Sequence, residues 1–371
     1  MILGIDASRA VTGQQTGTEA YAYYLIRALI PLTAEKGHQL RLYFNQPPPP
    51  DLFPTAPHVQ QVIIPFPRLW THLRLAWELQ QRPPDVFFTP AHVIPLTYFG
   101  RSVATIHDLG YYHFPKAHTR RQVAYLNWST RHNGRRAQQI IADSQATKDD
   151  LVQLYHINPA KIHVVYPACD PVLQPVTDEQ ALAAVRQKYG ITAPYLLYIG
   201  TLQPRKNLLR LVEAYCALPD HDHQLVLAGR TGWRAEPFLQ AIETLDPAVR
   251  QQIILPGYIE DDDKAALISG ASVLLFPSLY EGFGFPVLEA NACGTAVICS
   301  NTSSLPEVAG DAALLVNPQD TAEITIALTR LLSDQLLQQQ LVNKGFQNIQ
   351  RFTWQKTAEQ LLNILEHEPN S

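Results

Sequence analysis

Short, almost wholly apolar runs recur along this chain, each followed by a longer segment whose apolar residues return every three or four positions. In the first half the runs fall near 2–6, 39–44, 60–64, 85–89, 102–106, 139–142 and 162–166. Runs this short, without alternation, are typical of strands buried on both faces of a parallel sheet. Amphipathic stretches at 18–35, 119–137 and 145–155 predict helices between them. The segment from Tyr166 to Pro175 then breaks both periods with three prolines, and proline continues neither a helix nor a central strand. Beyond it the alternation restarts, with apolar runs at 195–200, 224–229, 252–256, 272–276, 296–299 and 313–316. Helical spacing fills roughly 320–366, carried by Leu328, Leu331 and Leu332 and then by Leu361, Leu362, Ile364 and Leu365. The pattern predicts an α/β protein of two Rossmann-like, doubly wound domains, 1–170 and 171–350, with a terminal helical segment at 351–371.

Composition adds little to that picture. At 371 residues, two cores are the natural expectation. Apolar content of 46% and charged content of 17% describe an ordinary globular protein, and no apolar run is long enough to span a membrane. Met1 leads directly into the 2–6 run, which reads as a strand rather than a signal peptide. Cys169, Cys216, Cys293 and Cys299 lack metal-ligand spacing and suit a reducing cytoplasm. Charge is more informative. Residues 1–176 carry 16 Lys and Arg against 11 Asp and Glu, and the remainder carries 13 against 22. A basic first half suits peripheral contact with an anionic membrane face, or a phosphate-bearing acceptor, as well as a merely uneven solvated surface. Nothing points to nucleic acid.

The densest chemistry lies in the string from Glu281 to Glu289. It follows the 272–276 run, and Gly282, Phe283, Gly284, Phe285 and Pro286 lead into a helix with the proline in its first turn. Such a loop offers backbone N–H groups at a positive helix end, where phosphate and sugar oxygens bind. Two carboxylates frame those amides and can accept from vicinal hydroxyls. That combination suits a nucleotide-sugar, and no packing requirement is evident for alternating glycines and aromatics.

Gly200 ends the first strand of the second domain and is followed by Arg205 and Lys206. Ligands bind at the carboxyl ends of parallel strands, and adjacent cations can neutralise a diphosphate. Two cations ahead of a helix also oppose its dipole unless an anion is bound. Gly17, between the first strand and its helix, lets backbone approach phosphate, although Gly13 and Gly17 are separated. His107, with Asp108, ends a buried strand, where a polar pair serves a ligand better than packing. Gly229 and Tyr258 follow further strands of the second domain, and Tyr258 also reads as a packed loop aromatic. At Asp143-Ser144 the serine reads as a helix cap rather than a ligand contact. No Asp-x-Asp pair, lysine-bearing phosphate loop or dinucleotide fingerprint is set for its usual role.

The Glu281–Glu289 string resembles the paired-glutamate signature of the family 4 retaining glycosyltransferases, and the resemblance covers nearly the whole chain. It implies a GT-B fold, two Rossmann-like domains facing across a cleft, with the last helix crossing back to the first domain. It further implies that Arg205 and Lys206 bind the donor diphosphate, Glu289 the ribose hydroxyls and Glu281 the transferred sugar. His107 lines the site near that sugar, while loops at Gly17, Gly229 and Tyr258 frame the nucleotide. No metal or cofactor is implied. The sequence around 276–308 leans towards bacterial mannosyltransferases using GDP-mannose, with a UDP-hexose such as UDP-glucose open, and the acceptor would be a glycan or lipid-linked saccharide. A nucleotide-sugar epimerase or hydrolase of the same fold, or a silent nucleotide-sugar-binding protein, would carry the same residues.

Overall fold

The structure, a computed structural model, describes residues 1–11, 17–66, 68–91 and 93–367. The chain divides into two compact units. The first comprises Met1–Leu109, Arg121–Ala168 and the chain from Phe352 onward; the second comprises Gly110–Arg120 and Cys169–Arg351. The segment Gly110–Arg120, continuous in sequence with the first half, thus groups with the second unit.

The first unit holds a seven-stranded sheet of β1 (Ile2–Asp6), β2 (Gln39–Phe44), β3 (Val59–Ile63), β4 (Val86–Thr89), β5 (Ser102–Ile106), β6 (Gln139–Ala142) and β7 (Ile162–Val164). All its pairings are parallel, in the order β3-β2-β1-β4-β5-β6-β7. Every residue of β4, β5 and β6 is buried, which explains why these strands read as unbroken apolar runs. Its principal helices are α1 (Gly17–Glu35), α2 (Ala76–Gln81, preceded by a π-helical turn at Thr71–Leu75), α3 (Arg120–Arg136) and α4 (Gln145–Tyr155). Ser144 caps α4, its hydroxyl accepting from the Thr147 N–H at 3.1 Å. The sequence reading gave no helix at 71–81.

The last helix, Trp354–Glu366, packs on α1. Trp354 stacks on Tyr24 at 5.6 Å and meets Tyr21 edge-on at 5.9 Å. Thr357 Oγ1 donates to the Tyr166 carbonyl at 2.7 Å, and His38 pairs with Glu366 at 2.8 Å.

The second unit holds a six-stranded parallel sheet of β8 (Tyr195–Ile199), β9 (Gln224–Ala228), β10 (Ile253–Gly257), β11 (Val273–Phe276), β12 (Val297–Ser300) and β13 (Ala313–Val316). Its order is β10-β9-β8-β11-β12-β13. The helices used below are α5 (Leu208–Cys216), α6 (Asp261–Ser269) and α7 (Phe285–Cys293). In each sheet the winding reverses once, beside β1 in the first and beside β8 in the second. In parallel α/β sheets the carboxyl ends of the strands at such a reversal are where ligands bind. No helix among the described residues is long and apolar enough to cross a membrane.

Candidate active site

In the second unit the reversal point sets β8 against β11. The loop after β8 turns through a short 3₁₀ element, Pro204–Lys206, and Asn207 (φ 62°) then starts α5. Asn207 Nδ2 donates to the Pro277 and Pro318 carbonyls at 3.1 and 2.6 Å, and the Leu279 N–H donates to the Arg205 carbonyl at 2.9 Å. The loops after β8 and β11 are therefore stitched together, and they bring three charges into one place. Glu281 Oε2 accepts from Arg205 Nη1 at 3.0 Å, and Oε1 accepts from Lys206 Nζ at 2.5 Å. Arg205 also donates to the Tyr280 carbonyl. The Lys206 ammonium lies 5.0 Å from the centre of the Phe276 ring.

Lys206 and Glu281 are both buried. Burial opposes the Glu281 charge, but Arg205 and Lys206 outweigh it and hold the carboxyl at about 2. One expectation needs correction here. The two cations do not depend on an external anion, because Glu281 already supplies one.

The glycine-aromatic string is shaped partly by packing, contrary to the sequence reading. Phe283 is buried and meets Phe285 edge-on at 5.3 Å. Gly284 sits at φ 118°, and a Cβ there would come within 2.6 Å of Leu305 Cδ2. Gly282 is buried in the turn. Ser304 Oγ donates to the Glu281 and Phe283 carbonyls at 3.0 and 2.6 Å, while the Glu281 N–H donates to Ser303 Oγ at 2.9 Å. This bracing holds the turn from which α7 departs, with Pro286 near its start. Glu289, inside α7, accepts from Lys264 Nζ of α6 at 2.6 Å. Burial disfavours the Lys264 charge, yet Glu289 keeps its pKa above the ordinary value.

Gly200 and Gly229 meet backbone to backbone. Gly229 has φ 141°, and a Cβ there would overlap the Gly200 carbonyl oxygen at 2.0 Å. Only glycine permits that approach. Tyr258 is 45% exposed, with the Arg230 guanidinium 4.4 Å from its ring centre. It is a solvent-exposed aromatic with a guanidinium over its ring rather than a packed loop residue.

In the first unit the register pairs Ile106 with Ala142, so the next residues of β5 and β6 are neighbours. His107 Nδ1 lies 2.7 Å from Asp143 Oδ2, and Nε2 lies 2.8 Å from the Pro90 carbonyl. Burial works against a charged ring, but the Asp143 carboxylate and the two hydrogen bonds prevail and raise the His107 pKa. Tyr21 packs edge-on against the ring at 4.8 Å. With both nitrogens engaged, His107 is fixed in orientation. Gly17 is the exposed first residue of α1; Gly13, weighed with it, lies outside the described residues.

Sequence reasoning missed Asp143 and Lys264. Asp143 was passed over because its neighbour Ser144 has a sufficient role as a cap. Its sequence signals are that it follows a buried strand as directly as His107 does and that Asp143-Ser144 resembles a cleft-facing pair of the family. Lys264 sits in an otherwise acidic helix start, and nothing local marks it as the partner of a glutamate 25 residues away.

Comparison with known proteins bears on this arrangement. Residues 16–173 match the family described as Glycosyltransferase Family 4, and residues 183–348 match Glycosyl transferases group 1. An O-antigen chain mannosyltransferase B of Escherichia coli is 32% identical over 82% of this chain and 80% of its own. The chain is a family 4 glycosyltransferase. Sucrose-phosphate synthase from Thermosynechococcus elongatus shares the fold of this glycosyltransferase, with TM-score 0.75 and 20% identity over 98% of each chain. So does Anabaena Alr3699/HepE, solved in complex with UDP-glucose, with TM-score 0.72 and 17% identity over 98% of each chain. The two parallel-sheet, Rossmann-like units are those of the GT-B class.

Proposed function

We propose that this glycosyltransferase moves mannose from GDP-mannose to a glycan or lipid-linked saccharide, with retention at the anomeric carbon and without a metal. The observation that carries the reading is the buried cluster of Arg205, Lys206 and Glu281 at the reversal point of the second sheet. A diphosphate arriving there meets two fixed cations whose charge Glu281 only partly occupies. They stabilise the negative charge that grows on the leaving group, the task a divalent ion performs elsewhere. The bond from the sugar's anomeric carbon to the phosphate oxygen breaks. An acceptor hydroxyl forms the new bond on the same face and passes its proton to the departing diphosphate. No protein nucleophile is needed. Glu281 serves the sugar and its developing positive charge, Glu289 serves the ribose hydroxyls, and Tyr258 offers a face to the base. His107, fixed by Asp143, serves the transferred sugar.

The mannosyl donor is supported by the E. coli relative, a mannosyltransferase by its name. The alternative donor is UDP-glucose, the ligand of the Anabaena structure. A reducing cytoplasm is supported by the free cysteines, and peripheral contact with the anionic inner membrane face by the positive first half.

The test is a nucleotide-sugar screen by thermal stabilisation, followed by turnover of the best donor in excess EDTA and anomeric analysis of the product. GDP-mannose should stabilise most, turnover should survive the chelator, and the linkage should keep the donor's configuration. An inverted product, or activity restored only by magnesium or manganese, overturns the mechanism; preference for UDP-glucose overturns the donor. Epimerised or hydrolysed donor without transfer in the presence of acceptors overturns the transfer reading.

A further inference from the structure

The segment missed by sequence reading has an unusual surface. Its inward side is already filled: Trp70, Leu75, Ala76 and Leu79 are buried, and Trp70 Nε1 donates to the Ile64 carbonyl at 2.9 Å. The outward side nonetheless carries Leu69, Leu73 and Trp77, at successive four-residue spacing, exposed by 66, 52 and 56%. Leu69 is held at φ 55°, an uncommon conformation for a leucine, and the next turn is π-helical, a form common at functional positions. Core packing does not account for this stripe.

The stripe does not end at its own helix. His72 meets Trp128 of α3 edge-on at 6.1 Å, and Trp128 lies beside Tyr125 at 5.8 Å, both exposed. Gln80 donates to the Thr97 carbonyl, and Arg136 of α3 covers the ring of Phe99, which is 79% exposed. Two helices and the loop before β5 therefore share one apolar and aromatic face of the first unit. Its exposed charges are basic. The segments 68–81, 93–101 and α3 hold a single acid, Glu78, half-buried and 3.9 Å from Arg82, while Arg74, Arg121, Arg131 and Arg135 are exposed on them.

The geometry points to this face as a docking surface for an anionic phospholipid bilayer. The inference rests on the peripheral contact proposed above and identifies the residues that make it. Leucine and phenylalanine side chains enter the acyl boundary, tryptophan and tyrosine rings suit the headgroup level, and arginine guanidiniums meet lipid phosphates. A second copy of the chain fits poorly, since a symmetric contact would set these arginines against themselves.

Co-sedimentation of the full chain with phosphatidylcholine vesicles, with and without phosphatidylglycerol, tests this. The wild type should partition to the anionic vesicles, weaken in high salt and show a blue shift of tryptophan emission. Leu73→Glu/Trp77→Glu and Arg131→Glu/Arg135→Glu should each reduce partition by about tenfold or more, since each basic residue near the surface counts for roughly fivefold. GDP-mannose stabilisation should be unchanged in both, which shows folded protein. Leu73→Ser/Trp77→Ser is the milder companion variant. If the wild type binds anionic vesicles and both charge variants bind equally, membrane contact stands and this face is wrong. A wild type that ignores anionic vesicles overturns both. A concentration-dependent dimer abolished by Leu73→Glu/Trp77→Glu also overturns the bilayer assignment and makes the face a homotypic interface.

Discussion

Replacing Glu281 by glutamine separates what the Arg205–Glu281–Lys206 cluster does for stability from what it does for catalysis. The side chain is buried and accepts from Arg205 at 3.0 Å and from Lys206 at 2.5 Å. Its carboxyl is held at about 2 against an ordinary 4.5, with burial opposing the charge and the two cations prevailing. Glutamine is a neutral near-isostere of the protonated acid, so that displacement approximates the cost of the change. At about 1.4 kcal/mol for each tenfold, it corresponds to roughly 3 kcal/mol. The folded pKa is depressed, so the contribution is fully present above pH 4.5 and is lost as pH falls towards 2. Glu281→Gln should therefore unfold in urea with roughly 3 kcal/mol less stability at pH 7, and the gap to wild type should narrow steadily below pH 4.5. Donor chemistry should respond in the opposite sense at the ground state. With their internal anion gone, Arg205 and Lys206 are freer to meet a diphosphate, so GDP should bind as tightly or more tightly by calorimetry. Turnover should nevertheless fall by more than tenfold, because the lost carboxylate interacts most strongly with the transition state. Equal stability at pH 7, or GDP binding weakened tenfold with turnover intact, would refute the reasoning.

Glu289→Gln should chiefly raise the donor KM, by about tenfold for a lost charge-assisted contact, with kcat little changed, because the ribose is unaltered by the reaction. Asp143→Asn should lower the His107 pKa in an NMR titration, since it removes the main group that raises it, and should lower kcat; an unmoved pKa would show that Asp143 does not hold the ring. The His107 pKa is raised on folding, so its contribution to stability is present below its unfolded value near 6.5 and is lost as pH climbs through the folded value. That pH-dependent loss should be smaller in the asparagine variant. Gly284→Ala should lose at least about 1 kcal/mol by chemical denaturation, from a φ of 118° and a Cβ 2.6 Å from Leu305; a neutral effect would show that the turn relaxes freely.

The sequence by itself determined the strands, their parallel class and the two-unit organisation. The thirteen strands among the described residues fall within a residue or two of the predicted runs. The match is plainest in central strands such as β4, β5, β8 and β11, because a strand buried on both faces has no polar side to blur its signal, whereas β3 at the sheet edge is polar and exposed. It also placed the candidate site residues, since Glu281, Glu289, Arg205, Lys206 and His107 all sit beyond such runs or in the following helix. Only the tertiary structure decided their partners. Arg205 and Lys206 reach Glu281 across 75 or 76 residues because the winding reversal makes β8 and β11 neighbours, and no local pattern encodes that adjacency. Asp143 meets His107 through the register of β5 and β6, and Lys264 meets Glu289 through the packing of α6 on α7. The outward stripe of Leu69, Leu73 and Trp77 was illegible for a related reason. Helical periodicity reveals that a face is apolar, but whether it turns to the core or to solvent depends on which side the rest of the chain has already filled.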